Sequence, residues 1–167
     1  MAAHKDKKCK TAAAAPSTCC GASREIEVIA RGVCIKGGRL LLCHSKGAPN
    51  TYLPGGHVEF GEDARESLRR EMEEEMGLPF TVGRFLGVVE HAYKRKGEPQ
   101  HEVNLVFEMT CRSLGVAGQP QSREDYIEFL WVPQAELGTA GLEPHPLRKL
   151  VKKWASSPAG PGWASTM

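Results

Sequence analysis

Apolar positions along the chain fall mostly into short β-branched blocks, and they take a helical period in only two places. From Ile26 to Lys36 the chain is β-branched and apolar, Gly37-Gly38 can adopt positive φ, and Arg39 to His44 is apolar again, which predicts a β-hairpin. Thr51-Tyr52-Leu53 then runs into the break Pro54-Gly55-Gly56, after which Val58 and Phe60 alternate about Glu59 as in a short strand. Asp63 followed three residues on by Glu66 is a capping-box pattern, and Gly77 with Pro79 supplies a stop, so a helix is expected from about Ala64 to Met76. Phe80 to Tyr93 and Glu102 to Cys111 read as a second hairpin, joined by the polar segment Lys94 to Gln100. After the Gly-rich loop Ser113 to Gln121 come a strand over Tyr126 to Val132, a short helix opened by Pro133, and a longer helix over Pro146 to Trp154. Strands with helices to cover them place the chain in the α+β or mixed α/β class.

Composition changes this picture only at the ends. Of 167 residues, 41% are hydrophobic and 25% charged, as for one globular domain with one core. Residues 1–24 lack periodicity and residues 156–167 are rich in Pro, Gly and Ser, so both are expected to be tails around a folded unit of about 25–155. The net charge is +2, but residues 1–24 carry +4 and residues 156–167 none, which leaves −2 on the body. A slightly acidic body argues against binding duplex nucleic acid, which needs a dense basic stripe. No apolar run approaches the ~18 residues of a membrane span. Thr11 to Ala15 is too short and weakly apolar for a signal-peptide core, and a cytoplasmic location is the expectation. Cys9, Cys19, Cys20, Cys34, Cys43 and Cys111 show neither paired C-x-x-C spacing nor disulfide-scaffold density, and they read as reduced, mostly buried thiols.

The chemistry concentrates in the expected helix. At about 100° per residue from Ala64, Leu68, Met72 and Met76 form an apolar stripe between roughly 40° and 120°. Glu75 falls at about 20° and Glu71 at about 340°, within or beside that stripe, with Glu74 at its edge near 280°. Glu66, Arg69 and Glu73 take the opposite, solvent face. Carboxylates aimed toward the core do not stay ionised without compensation. A hard divalent cation such as Mg²⁺ is the natural partner, and with no thiolate or imidazole cluster beside them zinc does not fit. Arg70, next to Glu74, either orients a ligating carboxylate or forms a surface ion pair with Glu66 or Glu74.

The segment Gly56 to Leu78 resembles the Nudix box, G-x5-E-x7-R-E-U-x-E-E-x-G-U with U bulky and aliphatic. Every specified position is filled: Gly56, Glu62, Arg70, Glu71, Met72, Glu74, Glu75, Gly77 and Leu78. The lead-in Leu53-Pro54-Gly55, the apolar hairpin upstream and the late strand Glu128 to Pro133 also look like that family. The resemblance implies a Nudix fold, an α/β/α sandwich around a mixed central β-sheet, with the box as a loop–helix–loop holding Mg²⁺ or Mn²⁺. It implies hydrolysis of a nucleoside diphosphate linked to another group, by water attack on phosphorus. Carried over by position, Glu71, Glu74 and Glu75 would be metal ligands, with one of them the alternative base. Gly56 would offer its carbonyl to the metal, Arg70 would orient a box glutamate, and Glu62 would act at most indirectly.

The general base can also lie outside the box. Glu124, Asp125 and Glu128 are candidates, with Glu128 preferred because Trp131 follows it, while His91, His101 and Glu102 rank lower. Tyr52, Phe60, Phe85, Tyr93 and Trp131 could stack on a base, although most are expected in the core. Lys94-Arg95-Lys96 could contact outer phosphates or simply be solvated. A homodimer is compatible with the resemblance. The alternative function is a Nudix-fold module that senses nucleotides without turnover, whose usual sign is a degraded box; this box is intact.

Overall fold

A computed structural model describes residues 25–156 and 160–167. The first predicted tail, residues 1–24 with Cys9, Cys19 and Cys20, lies outside them. The elements are β1 (Glu27–Val33), β2 (Ile35–Lys36), β3 (Arg39–Ser45), α1 (Ala64–Met76), β4 (Thr81–Arg95), β5 (Glu98–Thr110), β6 (Ile127–Pro133), a 3-10 turn (Gln134–Glu136), α2 (Leu147–Ser156) and β7 (Gly162–Ser165). The strands form a four-stranded sheet, β1-β5-β4-β7, and a three-stranded sheet, β2-β3-β6. In the first sheet β1–β5 and β4–β7 pair in parallel while β4–β5 is antiparallel, so the sheet is mixed.

Alternation along the strands gives each sheet two apolar faces. Leu41 and Cys43 of β3, with Ile127, Phe129 and Trp131 of β6, join Leu68, Met72 and Met76 of α1 in one core cluster. Leu40, Leu42 and Val132 point the other way and pack with Leu147, Val151 and Trp154 of α2. The strand layer thus lies between the two helices, because residues i and i+1 of a strand face opposite sides.

Three sequence expectations change. The first apolar block is not one hairpin arm: only Ile35 and Lys36 pair with β3, while Glu27–Val33 pair in parallel with Glu102–Glu108 of β5. The chain passes from one sheet to the other at Cys34. Val58 and Phe60 form no strand, and Phe60 is fully exposed; instead His57 bridges to Ile29, so this segment runs beside β1. The expected C-terminal tail contains β7, whose Gly162–Ser165 align with Gly87–Glu90 of β4. Thr166 extends that edge, its Oγ1 accepting from Ala92 N at 3.0 Å. A Cβ on Gly87 would fall 2.0 Å from Gly162 O, so glycine permits the approach. Cys34, Cys43 and Cys111 are buried and unbridged, as read.

Helix α1 begins and ends at the predicted residues. The Asp63 carboxylate accepts from Arg65 N at 2.8 Å and Glu66 N at 3.1 Å, satisfying two of the amide donors that a helix leaves free at its start. Gly77 closes the other end in the left-handed conformation, φ 66°, donating to Glu73 O. A Cβ there would lie 2.1 Å from the Arg123 guanidinium carbon, so the residue also leaves room for a neighbouring loop. Asp63→Ala is expected to cost about 1 kcal/mol of stability and Asp63→Ser much less. Urea unfolding of both variants beside wild type checks this.

Candidate functional site

The loop from Thr51 to Val58 and helix α1 build the site. Backbone bonds fasten the loop to β1: Gly32 N to Pro54 O at 2.8 Å, Ala30 N to Gly56 O at 2.9 Å, and Val58 N to Val28 O at 2.9 Å. Gly55 takes φ 126°, and a Cβ on it would meet Ala30 O at 2.1 Å. Gly56 lies directly against helix α1, where a Cβ would fall 2.1 Å from the Glu71 carboxyl carbon. Gly55 is therefore required for the loop to approach β1 so closely, while a side chain at Gly56 would displace the Glu71 carboxylate.

Arg70 organises the acids. Its Nε donates to Glu62 Oε1 at 2.9 Å and Nη2 to Glu62 Oε2 at 3.1 Å, a two-pronged grip. Nη1 donates to Glu71 Oε1 at 2.8 Å and to Glu74 Oε2 at 3.2 Å, and Nη2 also reaches His57 O at 3.2 Å. The ion pair weighed with Glu66 does not form; Glu62 takes that place, and Arg70 holds its carboxyl below the usual range. Glu62 belongs to a loop eight residues upstream, beyond the reach of helical i, i+4 reasoning.

Glu75 stands apart. It is buried, and its Oε2 has no hydrogen-bond partner. Burial first, and the Glu71 charge after it, raise its pKa to about 7 against the opposing charge of Arg31. Glu124 and Glu74 also act upward on it. Glu124 is carried by a loop that docks on the C-terminal end of α1. Arg123 N donates to Glu75 O at 2.7 Å, the Arg123 side chain reaches Glu73 O, and Ser122 Oγ bonds the Glu124 backbone. Carbonyls of the last helical turn thus hold the loop that brings the acid.

Glu128, preferred from sequence, is not brought to these acids. On β6 it alternates with Ile127 and Phe129, which face α1, so its side chain turns to the α2 side. There its Oε2 meets His44 Nε2 at 3.0 Å, on the residue paired with it across β3–β6. The loop acid Glu124 takes the position near Glu75 instead. Glu102 is buried and accepts from Tyr93 OH at 2.8 Å, and His91 stacks on Tyr93 with ring centroids 4.9 Å apart. Phe85 and Trp131 pack with the core, Trp131 donating to Gly115 O, while Lys94-Arg95-Lys96 sit at the exposed tip of the β4–β5 hairpin. Sequence reasoning passed over Arg31 and Arg123, whose side chains bond mainly to backbone carbonyls, which leave no residue-type signal.

Among the described residues, no three His, Cys, Asp or Glu side chains converge as a finished cation cage. No helix among them is long and apolar enough to cross a membrane.

The raised pKa of Glu75 has a signed consequence for the metal-free protein. With about 4.5 as the ordinary value and about 7 in the fold, the unfolded chain releases its proton first as pH rises. Stability is therefore expected to fall between about pH 4.5 and 7 and to level off above, by roughly 3 kcal/mol. Glu75→Gln is expected to flatten that slope and to be the more stable form at pH 8, as read by urea unfolding in EDTA.

Comparison with known proteins agrees with this architecture. The family model described as NUDIX domain matches residues 26–154. A putative mutator protein MutT4 from Mycobacterium tuberculosis (strain CDC 1551 / Oshkosh) is 34% identical over 85 residues, 51% of this chain and 33% of that protein. The chain thus spans about a third of the length of that curated relative. A MutT NUDIX hydrolase from Burkholderia pseudomallei superposes with a TM-score of 0.56 at 28% identity, over 77% of this chain and 98% of that one. A MutT protein from Methanosarcina mazei Go1 gives a TM-score of 0.61 at 20% identity, over 84% of this chain and 100% of that one, a likeness of fold. With an intact box on its helix, loop glycines pressed against β1 and Glu71, and a family match across residues 26–154, the chain belongs to the NUDIX domain family.

Proposed function

We propose that this chain is a divalent-metal-dependent pyrophosphohydrolase that cleaves the diphosphate linkage of a nucleoside diphosphate joined to another group, by water attack on phosphorus. The observation that carries the reading is Glu75: a carboxylate buried beside other acids, with one oxygen unpartnered. Such a group is costly to keep ionised unless a cation offsets it. The cradle fits one. Gly56 leaves open the space beside the Glu71 carboxylate that any side chain would fill. The donors offered are all oxygens, which suits Mg²⁺ or Mn²⁺ rather than a thiophilic metal.

Glu71, Glu74 and Glu75 would hold the cation, with the Gly56 carbonyl, whose bond from Ala30 N leaves one lone pair. When bound, it would supply positive charge to the diphosphate oxygens and make water a better nucleophile. Arg70 would keep Glu71 and Glu74 facing the site while its grip on Glu62 fixes its own fork. Glu124, whose charge acts on Glu75, would take the proton from the attacking water, with Glu74 the alternative within the box. Glu128, paired to His44 on the α2 side, would serve the base role only across the strand layer.

Phosphate or monophosphate release with Mg²⁺ tests the reading on nucleoside triphosphates, nucleotide sugars, ADP-ribose, NADH, dinucleoside polyphosphates and capped RNA. One strong substrate is expected, with activity abolished by EDTA and lowered by Glu75→Gln about 100-fold or more. Silence of wild type across the panel, with nucleotide binding retained in calorimetry, overturns catalysis in favour of a sensing module.

A further inference from the structure

Through the bend from Leu53 to Gly56, successive carbonyls meet different partners. Pro54 O and Gly56 O turn to β1 and accept from Gly32 N and Ala30 N. Leu53 O and Gly55 O turn the other way, and one side chain takes both: Arg31 Nη1 donates to Leu53 O at 3.1 Å and to Gly55 O at 2.9 Å. The same guanidinium donates through Nε to Asn104 Oδ1 at 3.2 Å and lies 5.2 Å from the centroid of the Tyr52 ring. Arg31 makes no ion pair among the described residues.

The support behind this group is buried. Asn104 is 1% exposed and spends its amide on Val89 O at 3.2 Å and Glu102 Oε2 at 3.4 Å, and Glu102 in turn takes Tyr93 OH. A chain of hydrogen bonds therefore runs from the β4–β5 hairpin through Asn104 to Arg31 and ends on the loop. Gly55 has no side chain with which to fix its own peptide planes, and its φ of 126° is a conformation that glycine leaves readily. Its carbonyl direction is set from outside, on one flank by β1 and on the other by Arg31. The guanidinium meets the two carbonyls and the amide oxygen from two separate nitrogens, Nη1 and Nε; an ammonium has three donors but radiates them from one nitrogen.

We propose that Arg31 is a positioning residue of the metal site: by binding the Leu53 and Gly55 carbonyls it holds the Gly55-Gly56 turn against Glu71, and the cation cradle is assembled only with that fork in place. The inference rests on the metal-dependent reading above. Arg31 acts through the loop, so its loss is felt first in metal affinity and then in turnover.

The test is Mn²⁺ binding, by electron paramagnetic resonance without nucleotide, to wild type, Glu75→Gln, Arg31→Met and Arg31→Lys, with thermal melts to confirm folding. Arg31→Met is expected to weaken Mn²⁺ affinity about 10–100-fold, as loss of a residue that orients metal ligands does, and Arg31→Lys by less. With the substrate found by the panel, kcat is expected to fall while KM stays within about threefold. Should Arg31→Met not fold, Arg31→Lys, which keeps the charge and the stem, carries the test. Mn²⁺ affinity within twofold of wild type in the folded Arg31 variants overturns the proposal, including the case in which only KM rises and Arg31 binds substrate directly. Mn²⁺ binding that is absent in wild type, or unchanged in Glu75→Gln, overturns the reading of the site itself.

Discussion

The site is organised around one guanidinium that faces three carboxylates. Arg70 satisfies both oxygens of Glu62 and one each of Glu71 and Glu74, and it closes on the His57 carbonyl. Exposed ion pairs contribute little stability singly. Here the pairs share one rigid fork that is only about a quarter exposed, 27%, so the geometry of each fixes the others. Glu75 receives none of this compensation, and the acid nearest the core is left as the group with an unmet electrostatic demand.

Packing and chemistry use the same helix for different ends. Leu68, Met72 and Met76 bury α1 against both sheets, which rigidly fixes the angle at which Glu71, Glu74 and Glu75 project. The strand layer delivers the complementary parts: β1 seats the glycine loop, and the segment before β6 brings Glu124 to the end of the helix. A site assembled from three distant stretches of chain is thus held by elements whose apolar faces are already committed to a core.

What the sequence made legible was local or periodic. The bounds of α1, its caps and the side on which each glutamate lies follow from 3.6-residue geometry and from Asp63 and Gly77, because each depends on residues a few positions apart. The parallel pairing of β1 with β5 was hidden by the apolar continuity through Cys34, where the chain changes sheets without a polar break. Strand β7 lies in a Gly-, Pro- and Ser-rich stretch whose pairing depends on two glycines meeting, Gly87 and Gly162, and a residue-type pattern reads that stretch as a tail. For Glu128 the alternation with Ile127, Phe129 and Trp131 was present in the sequence, but which face would meet α1 became known only with the packing. Arg31 was illegible because its loop partners are backbone carbonyls, which every residue possesses, and its side-chain partner Asn104 lies 73 positions away.

Gly77 shows how one position can answer to two unrelated constraints. Its left-handed backbone alone would admit asparagine, the usual substitute where a helix ends this way. The Arg123 guanidinium lies over it, and any Cβ would displace the end of that side chain. Substitution at residue 77 therefore also moves a residue 46 positions later. Shortening Arg123 would relieve the contact but not the left-handed backbone, and the contact joins the end of the helix to the loop carrying Glu124.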